Sequence, residues 1–155
     1  RFATPSGKIE IASERAEADG LPRLPQATVD AEPADGKLRL ISPAAEWLMN
    51  SSFGNDRRVI KIMGPATVTC HPETASGLGI GDGDRVRLSN ELGELALTVC
   101  VSDMITPGAL LVYKSRWPKM EKSRANVNVL CIARKTDMGE STSVHATEVT
   151  VSRID

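Results

Sequence analysis

A chain of 155 residues is one domain by length, and its 41% hydrophobic and 25% charged residues are ordinary for a globular protein. Its 19 basic and 20 acidic residues nearly cancel, which argues against nonspecific nucleic-acid binding, because that function needs a clear excess of positive charge. No apolar run approaches the roughly 20 residues of a membrane span, so direct membrane insertion is not expected either.

The first 37 residues predict little regular structure. Ser13 is a candidate N-terminal cap for a brief helix over residues 14–19. The rest of this segment contains several prolines and few large apolar side chains, a composition typical of an extended connector. Because the chain starts with Arg1 rather than Met, we expect it to be a piece of a longer polypeptide, in which the compact domain starts at Leu38.

Short strands dominate the remainder of the chain. Strands are predicted at residues 38–42, 67–70, 85–88, 94–101, 109–113 and 148–154, with one short helix at 72–78. Turn signals such as Pro43, Asp82-Gly83-Asp84 and Pro107-Gly108 separate them. Many short strands at close spacing, with little helix, predict a mostly β barrel.

Motifs for catalysis or for metal binding are weak or missing. The chain has no G-x-S-x-G nucleophile elbow and none of the glycine-rich motifs of nucleotide-binding loops. Its two histidines have no acidic or thiolate neighbours at ligand spacing, and Cys70, Cys100 and Cys131 form no C-x-x-C pair. We therefore interpret the cysteines as small buried hydrophobic residues, and Asp82 and Asp84 as turn residues.

Loops rich in hydroxyl, amide and glycine groups are the remaining candidates for a binding site. They contain Ser42 with residues 50–52, then Asn126 and Asn128, and then residues 136–145. Short side chains let backbone N–H groups approach an anionic or heterocyclic ligand, and an Asn amide matches the mixed donor and acceptor edge of a purine or pterin. Composition alone favours the alternative that these are ordinary turn residues.

Several motifs along nearly the whole chain follow the order of one known enzyme family. They are Phe2–Glu10 (F-x-T-P-x-G-K-I-E), Leu40–Pro43 with Leu48–Phe53, His71–Ala75 with Gly79–Val86 (H-P-x-x-A, G-I-x-D-G-D-x-V), Asp103–Gly108 (D-x-x-x-P-G), and Asn126–Leu130 with Thr136, Asp137, His145 and Thr147. The ordered set resembles the C-terminal molybdopterin dinucleotide-binding domain of the molybdopterin oxidoreductases, the family of dimethyl sulfoxide reductases and formate dehydrogenases.

The resemblance implies a mostly β fold, a six-stranded double-psi β-barrel with a few short helices, over residues 38–155. Residues 1–37 would then lead into the barrel from a preceding domain of a longer catalytic subunit. The implied cofactor of that parent enzyme is bis-molybdopterin guanine dinucleotide carrying molybdenum or tungsten. The implied partners are this small-molecule cofactor and the other domains of the parent oxidoreductase.

The resemblance also implies which residues contact the cofactor. The family's metal ligand and iron–sulfur cysteines belong to other domains, so no catalytic or metal-binding residue is expected here. The isolated chain is expected to be inactive and to hold no cofactor tightly. The expected cofactor-binding residues are Ser42, Asn50, Ser51 and Ser52 on the first ligand loop, Asn128 and His145 in the closing segment, and, as weaker correspondences, Asn126 and Asp137.

Two alternatives stay open at this stage. One is a free-standing molybdopterin-binding subunit, as in formylmethanofuran dehydrogenases. The other is a double-psi barrel that serves only as a protein-interaction module, like the N-terminal domains of some AAA ATPases. The sequence leaves open the substrate, the choice of molybdenum or tungsten, and the compartment of a prokaryotic parent, although an odd number of cysteines favours a reducing one such as the cytoplasm.

Overall fold

A computed structural model describes residues 1–27, 31–136, 140–143 and 145–154. The chain divides into two compact units, one containing the chain up to residue 32 and the other containing residues 33–136 and 140–155. In the first unit, helix α1 (Glu14–Ala18) is capped by the Ser13 hydroxyl, which accepts a hydrogen bond from Ala16 N at 3.1 Å. Ala16 is the only buried hydrophobic residue in the described part of this unit, so the unit has almost no apolar core of its own.

The second unit is a closed barrel of six strands. The strands are β1 (Leu38–Ile41), β2 (Thr67–Cys70), β3 (Arg85–Asn90), β4 (Gly93–Val101), β5 (Ala109–Leu111) and β6 (Thr147–Arg153). Their order around the barrel is β1-β5-β2-β4-β3-β6, in which β1 and β5 run parallel, β2 and β4 run parallel, and all other neighbours run antiparallel. The predicted six-stranded double-psi β-barrel is therefore confirmed.

Alternation along the strands explains which side chains fill the barrel. In β3, Val86 and Leu88 are fully buried, whereas Arg85 and Arg87, which alternate with them, are exposed. This is the two-residue period of a strand. The core is aliphatic throughout, in keeping with the scarcity of aromatic residues. Its largest fully buried side chains are Leu40, Val68, Val86, Leu88, Leu110, Val127, Leu130 and Val149.

The Asp-Gly-Asp turn before β3 is structural, as predicted. Asp82 Oδ1 accepts a hydrogen bond from Val101 N at 2.8 Å, and Asp84 Oδ2 accepts one from Gly81 N at 2.9 Å. Gly83 has a φ of 82°, which a residue without a Cβ adopts at little cost. The Asp82 carboxylate therefore holds the turn against β4, and the Asp84 carboxylate closes the turn itself.

The helices are short, and one of them was not predicted. Helix α3 (Pro72–Leu78) lies where the sequence predicted it, and two 3₁₀ turns occupy Pro118–Met120 and Val127–Leu130. Helix α2 (Arg57–Met63) was missed, although Asp56 is a signal for its start. The Asp56 carboxylate accepts hydrogen bonds from Arg58 N at 2.7 Å and Val59 N at 3.2 Å, as an N-terminal cap does. Among the described residues, no helix is long and apolar enough to span a membrane.

Strand directions bring the two longest connections of the barrel to the same end. Ile41 and Leu111 are partners in the parallel pair β1–β5, so residues 42–66 (the first loop) and residues 112–146 (the second loop) leave from one end. Because β6 is antiparallel to β1, it begins at that end too, with Thr147 opposite Leu40. The loops that carry the predicted site residues therefore leave or enter the barrel at a common end.

We expect Leu88→Ala to lower the free energy of unfolding by about 2–5 kcal/mol, because it would leave a cavity in the closed barrel. Leu88 is fully buried, whereas Leu92 at the tip of the β3–β4 hairpin is 54% exposed. Leu92→Ala is the control and should change stability by no more than about 0.5 kcal/mol. Urea unfolding of both variants measures the difference, and equal losses would contradict this assignment of the core.

Candidate functional site

A polar cavity of about 490 Å³ lies between the first and second loops. Four residues that were predicted from the sequence line it together. They are Asn50 and Ser51 from the first loop, and Asn126 and Asn128 from the second. The other lining residues are Lys114, Ser115, Arg116, Trp117 and Pro118. The structure thus brings together side chains separated by more than sixty positions along the chain.

Trp117 joins the two loops that form the polar cavity. Its indole Nε1 donates a hydrogen bond to the carbonyl oxygen of Ser51 at 2.6 Å. The indole also packs so closely on Gly54 that a Cβ at that position would lie 2.4 Å from Trp117 Cδ1. On the ring, Lys119 Nζ is 4.9 Å from the centroid, within the range of a cation–π contact. A glycine at position 54 is therefore required for this closure.

Unusual backbone conformations cluster around the polar cavity. Asn50, Phe53 and Ser115 have φ values of 52°, 67° and 78°, in the left-handed region that residues other than glycine rarely adopt. Asn tolerates this region well, whereas Phe and Ser do so less readily. The surrounding contacts must hold these conformations, which is a common property of ligand-binding loops.

The two asparagines of the second loop have different roles. Asn126 Nδ2 donates to the carbonyl oxygen of Arg116 at 2.7 Å, and Asn126 Oδ1 accepts from Asn128 N at 3.0 Å, which caps the second 3₁₀ turn. Both ends of the Asn126 amide are thus used within the protein. Asn128 is exposed, and its side-chain amide has no hydrogen-bond partner within the described ranges. Of these two amides, only that of Asn128 is free to contact a ligand.

Arg116 ties the second loop to the segment that follows α2. Its guanidinium donates to the carbonyl oxygens of Met63 at 3.3 Å, Gly64 at 3.0 Å and Pro65 at 3.3 Å. It also pairs with Glu121 Oε1 at 3.0 Å, and the side chains of this ion pair are only 13% and 16% exposed. The charge of Arg116 and its Nη1 and Nη2 groups are therefore used in internal contacts.

Ser42 and His145 contact each other but do not line the polar cavity. Ser42 N donates to His145 Nδ1 at 3.4 Å, which connects the end of β1 to the segment before β6. The Ser42 hydroxyl donates to the carbonyl oxygen of Val112 at 3.0 Å and is buried. Because this hydroxyl is directed at a carbonyl and not at the imidazole, the pair is not a serine–histidine nucleophile.

Of the two remaining predicted residues, only Ser52 is described, and it does not line the cavity. Ser52 is exposed in the first loop, and its backbone N donates to the carbonyl oxygen of Met49 at 3.0 Å. Asp137 falls outside the described residues. The binding roles of all eight predicted residues stay predictions.

A second, mostly apolar cavity of about 220 Å³ adjoins the polar one and shares Arg116 and Asn126 with it. It is lined by aliphatic side chains of the barrel together with Glu46, Trp47 and Tyr113. The polar cavity is the better candidate for binding a polar heterocyclic ligand, because it offers the free amide of Asn128, hydroxyl groups and the ammonium group of Lys114.

Sequence reasoning missed the four residues 114–117 that begin the second loop. Their run of Lys, Ser, Arg and Trp shortly after a strand is a usable signal for an anionic, planar ligand. Over the described part of the chain, no cluster of His, Cys, Asp and Glu is suited to hold a metal ion. Cys70, Cys100 and Cys131 are free thiols, and burial raises the pKa of Cys70 and Cys131, which keeps them protonated at neutral pH.

The chain is thus a double-psi barrel with a polar cavity between the two loops at one end. Residues 38–148 match the family model described as the molydopterin dinucleotide binding domain, and the chain belongs to this family. The resemblance recognised from the ordered motifs is therefore confirmed, and binding of a molybdopterin dinucleotide is the function of the domain.

Proteins with similar sequences are several times longer than this chain. It is 30% identical to the probable oxidoreductase YoaE of Bacillus subtilis over 97% of this chain and 22% of that protein. It is also 30% identical to the dimethyl sulfoxide reductase DmsA of Haemophilus influenzae, over 97% of this chain and 21% of that protein. Acetylene hydratase from Pelobacter acetylenicus has the same fold, with a TM-score of 0.77 and 20% identity over 99% of this chain and 24% of its own. The chain spans about a fifth of the length of the curated relatives it matches.

We expect Gly54→Ala to destabilise the protein by about 1–3 kcal/mol, because the new methyl group must displace the indole of Trp117. The indole N–H resonance of Trp117 should shift as its bond to Ser51 is lost, while that of Trp47 stays in place. Gly77→Ala in α3 is the control, since a Cβ there meets no atom within 4 Å. It should be neutral or slightly stabilising. Equal behaviour of the two variants would contradict the close packing.

Alanine substitutions at Asn126 and Asn128 test which of the two side-chain amides stabilises the fold. Asn126→Ala removes two hydrogen bonds and should lower the free energy of unfolding by about 1–3 kcal/mol. Asn128→Ala removes a solvated side chain and should change it by no more than about 0.5 kcal/mol. Urea unfolding measures both, and a larger loss for Asn128→Ala would contradict these roles.

Proposed function

We propose that the polar cavity holds part of a molybdopterin guanine dinucleotide within a larger molybdenum- or tungsten-dependent oxidoreductase. The observation that carries this proposal is the convergence of Asn50, Ser51, Asn126 and Asn128 on one cavity in a chain of the molydopterin dinucleotide binding family. The sequence motifs alone predict all four of these residues as cofactor contacts.

The residues of the cavity fit such a ligand. Its volume of about 490 Å³ is within the range of about 300–1,000 Å³ that is typical of small-molecule sites. The free amide of Asn128 can donate to and accept from the polar edge of a guanine or pterin ring. Asn126 shapes the site instead, because its bonds fix the backbone of Arg116 and the start of the 3₁₀ turn.

Ser42 and His145 keep a predicted role outside the cavity. These two residues lie at the same end of the barrel, where the first loop begins and β6 follows. We therefore propose that they contact a part of the cofactor that extends beyond the cavity. Ser52 and Asp137 keep their predicted cofactor-binding role.

In the parent enzyme, the cofactor supplies the two-electron chemistry when it is bound. This chain contributes positioning and hydrogen bonds, and the proposed cofactor-binding domain extends over residues 38–155. Residues 1–37 are proposed to connect it to a preceding domain, so that the other domains of the catalytic subunit are its protein partners. The relatives named as oxidoreductases and dimethyl sulfoxide reductases support this proposal for the parent activity.

Asn128→Ala in the full-length parent enzyme tests the proposed site. Losing one buried hydrogen bond to the cofactor costs about 1–3 kcal/mol, which corresponds to a roughly ten- to hundredfold loss of affinity. We expect the variant to fold and to contain less molybdenum or tungsten and less pterin per polypeptide. Asn55→Ala is the matched control, because Asn55 is exposed in the first loop but does not line the cavity. Full cofactor content and activity in Asn128→Ala would refute the proposed site.

A further inference from the structure

The charges around the polar cavity are unbalanced. Two cationic residues, Lys114 and Arg116, line it, and none of its lining residues within the described ranges is an Asp or a Glu. A cavity with uncompensated positive charge favours a ligand that carries negative charge. Which of the two cations supplies that charge follows from their contacts.

Arg116 is not available to an anion in the cavity. Its guanidinium is paired with Glu121 at 3.0 Å in a nearly buried ion pair, and its Nη1 and Nη2 groups also donate to three backbone carbonyls. Releasing these groups to bind a ligand would leave Glu121 buried without its partner, which is a costly arrangement. The charge of Arg116 is therefore neutralised inside the protein.

Lys114 is in the opposite situation. Its backbone N donates to the carbonyl oxygen of Pro43 at 3.0 Å, which fixes the start of the second loop beside the first. Its side chain is half-buried, and its ammonium group has neither an ion pair nor a hydrogen bond with any residue in the described part of the chain. Lys119, the other cation close by, lies over the Trp117 ring and does not line the cavity.

We propose that Lys114 binds an anionic phosphate group of the ligand and makes the polar cavity selective for the phosphorylated part of a nucleotide. The proposal rests on the proposed function and deepens it, because it assigns the diphosphate of the dinucleotide to Lys114. A flexible ammonium group on a half-buried stem suits this task, since it meets phosphate oxygens as a compact charge. Asn128 is then left to contact an uncharged polar edge of the ligand.

The test compares guanosine with guanosine diphosphate on the 155-residue chain by NMR titration. The wild-type chain should bind the diphosphate about tenfold more tightly than the nucleoside, since a charge-assisted hydrogen bond is worth about that factor. Lys114→Met should lose most of this preference and keep its affinity for guanosine. Lys114→Arg should restore the preference, and raising the salt concentration should weaken diphosphate binding in the wild type more than in Lys114→Met.

Lys122→Met is the matched control, because Lys122 is an exposed lysine of the same loop that does not line the cavity. It should keep the preference for the diphosphate. Inorganic pyrophosphate should compete with the diphosphate in the wild type, which distinguishes recognition of the phosphate groups from recognition of the base. The amide spectrum of each variant reports directly whether it is folded.

The possible failures are distinguishable. If Lys114→Met weakens both ligands equally, or if the wild type binds both equally, then Lys114 is not the phosphate-binding residue, while the proposed site stands. If Lys122→Met loses the preference as well, the effect is one of overall charge, and the proposal for Lys114 is overturned. If the wild type binds neither ligand at this cavity at millimolar concentration, the proposed site itself is wrong and the role of Lys114 fails with it.

Discussion

Pairing of β1 with both β5 and β6 is the constraint on which the rest of the structure depends. It closes the barrel, and because one neighbour is parallel and the other antiparallel, it also places the end of β1, the end of β5 and the start of β6 side by side. The first and second loops then meet above the same end of an aliphatic core. Without closure, each loop would be an ordinary polar connection, and the cavity between them would not exist.

Local signals in the sequence were sufficient for most of the barrel. Residues 67–70 and 72–78 were predicted with the bounds that the structure has, because Pro72 and the glycine after α3 mark the ends of these elements. The contact between Trp117 and the first loop could not be predicted, for a physical reason. Its partner Ser51 is 66 positions away, and no local pattern encodes that hydrogen bond.

In the candidate site, the sequence also does not show which side chains are free to contact a ligand. Asn126 and Asn128 are indistinguishable in the sequence as amides on one loop, and the motif resemblance favoured Asn128 only by its position. The structure separates them, because both ends of one amide are bound inside the protein while the other is exposed. A similar division holds for Arg116 and Lys114, of which only Arg116 has a carboxylate partner within the described ranges. Residue type alone thus indicated candidate loops, and the hydrogen-bond partners show which of their groups are available.

The strand directions have a practical consequence for handling this domain. Strand β1 begins at Leu38, and strand β6 ends at Arg153, which pairs with Val86 at the start of β3. The start of β1 and the end of β6 therefore lie at the end of the barrel opposite the polar cavity. A biotin or fluorophore attached just after β6 would therefore be remote from the ligand loops. A domain immobilised on a sensor chip through that position would present the cavity to the flowing solution rather than to the surface.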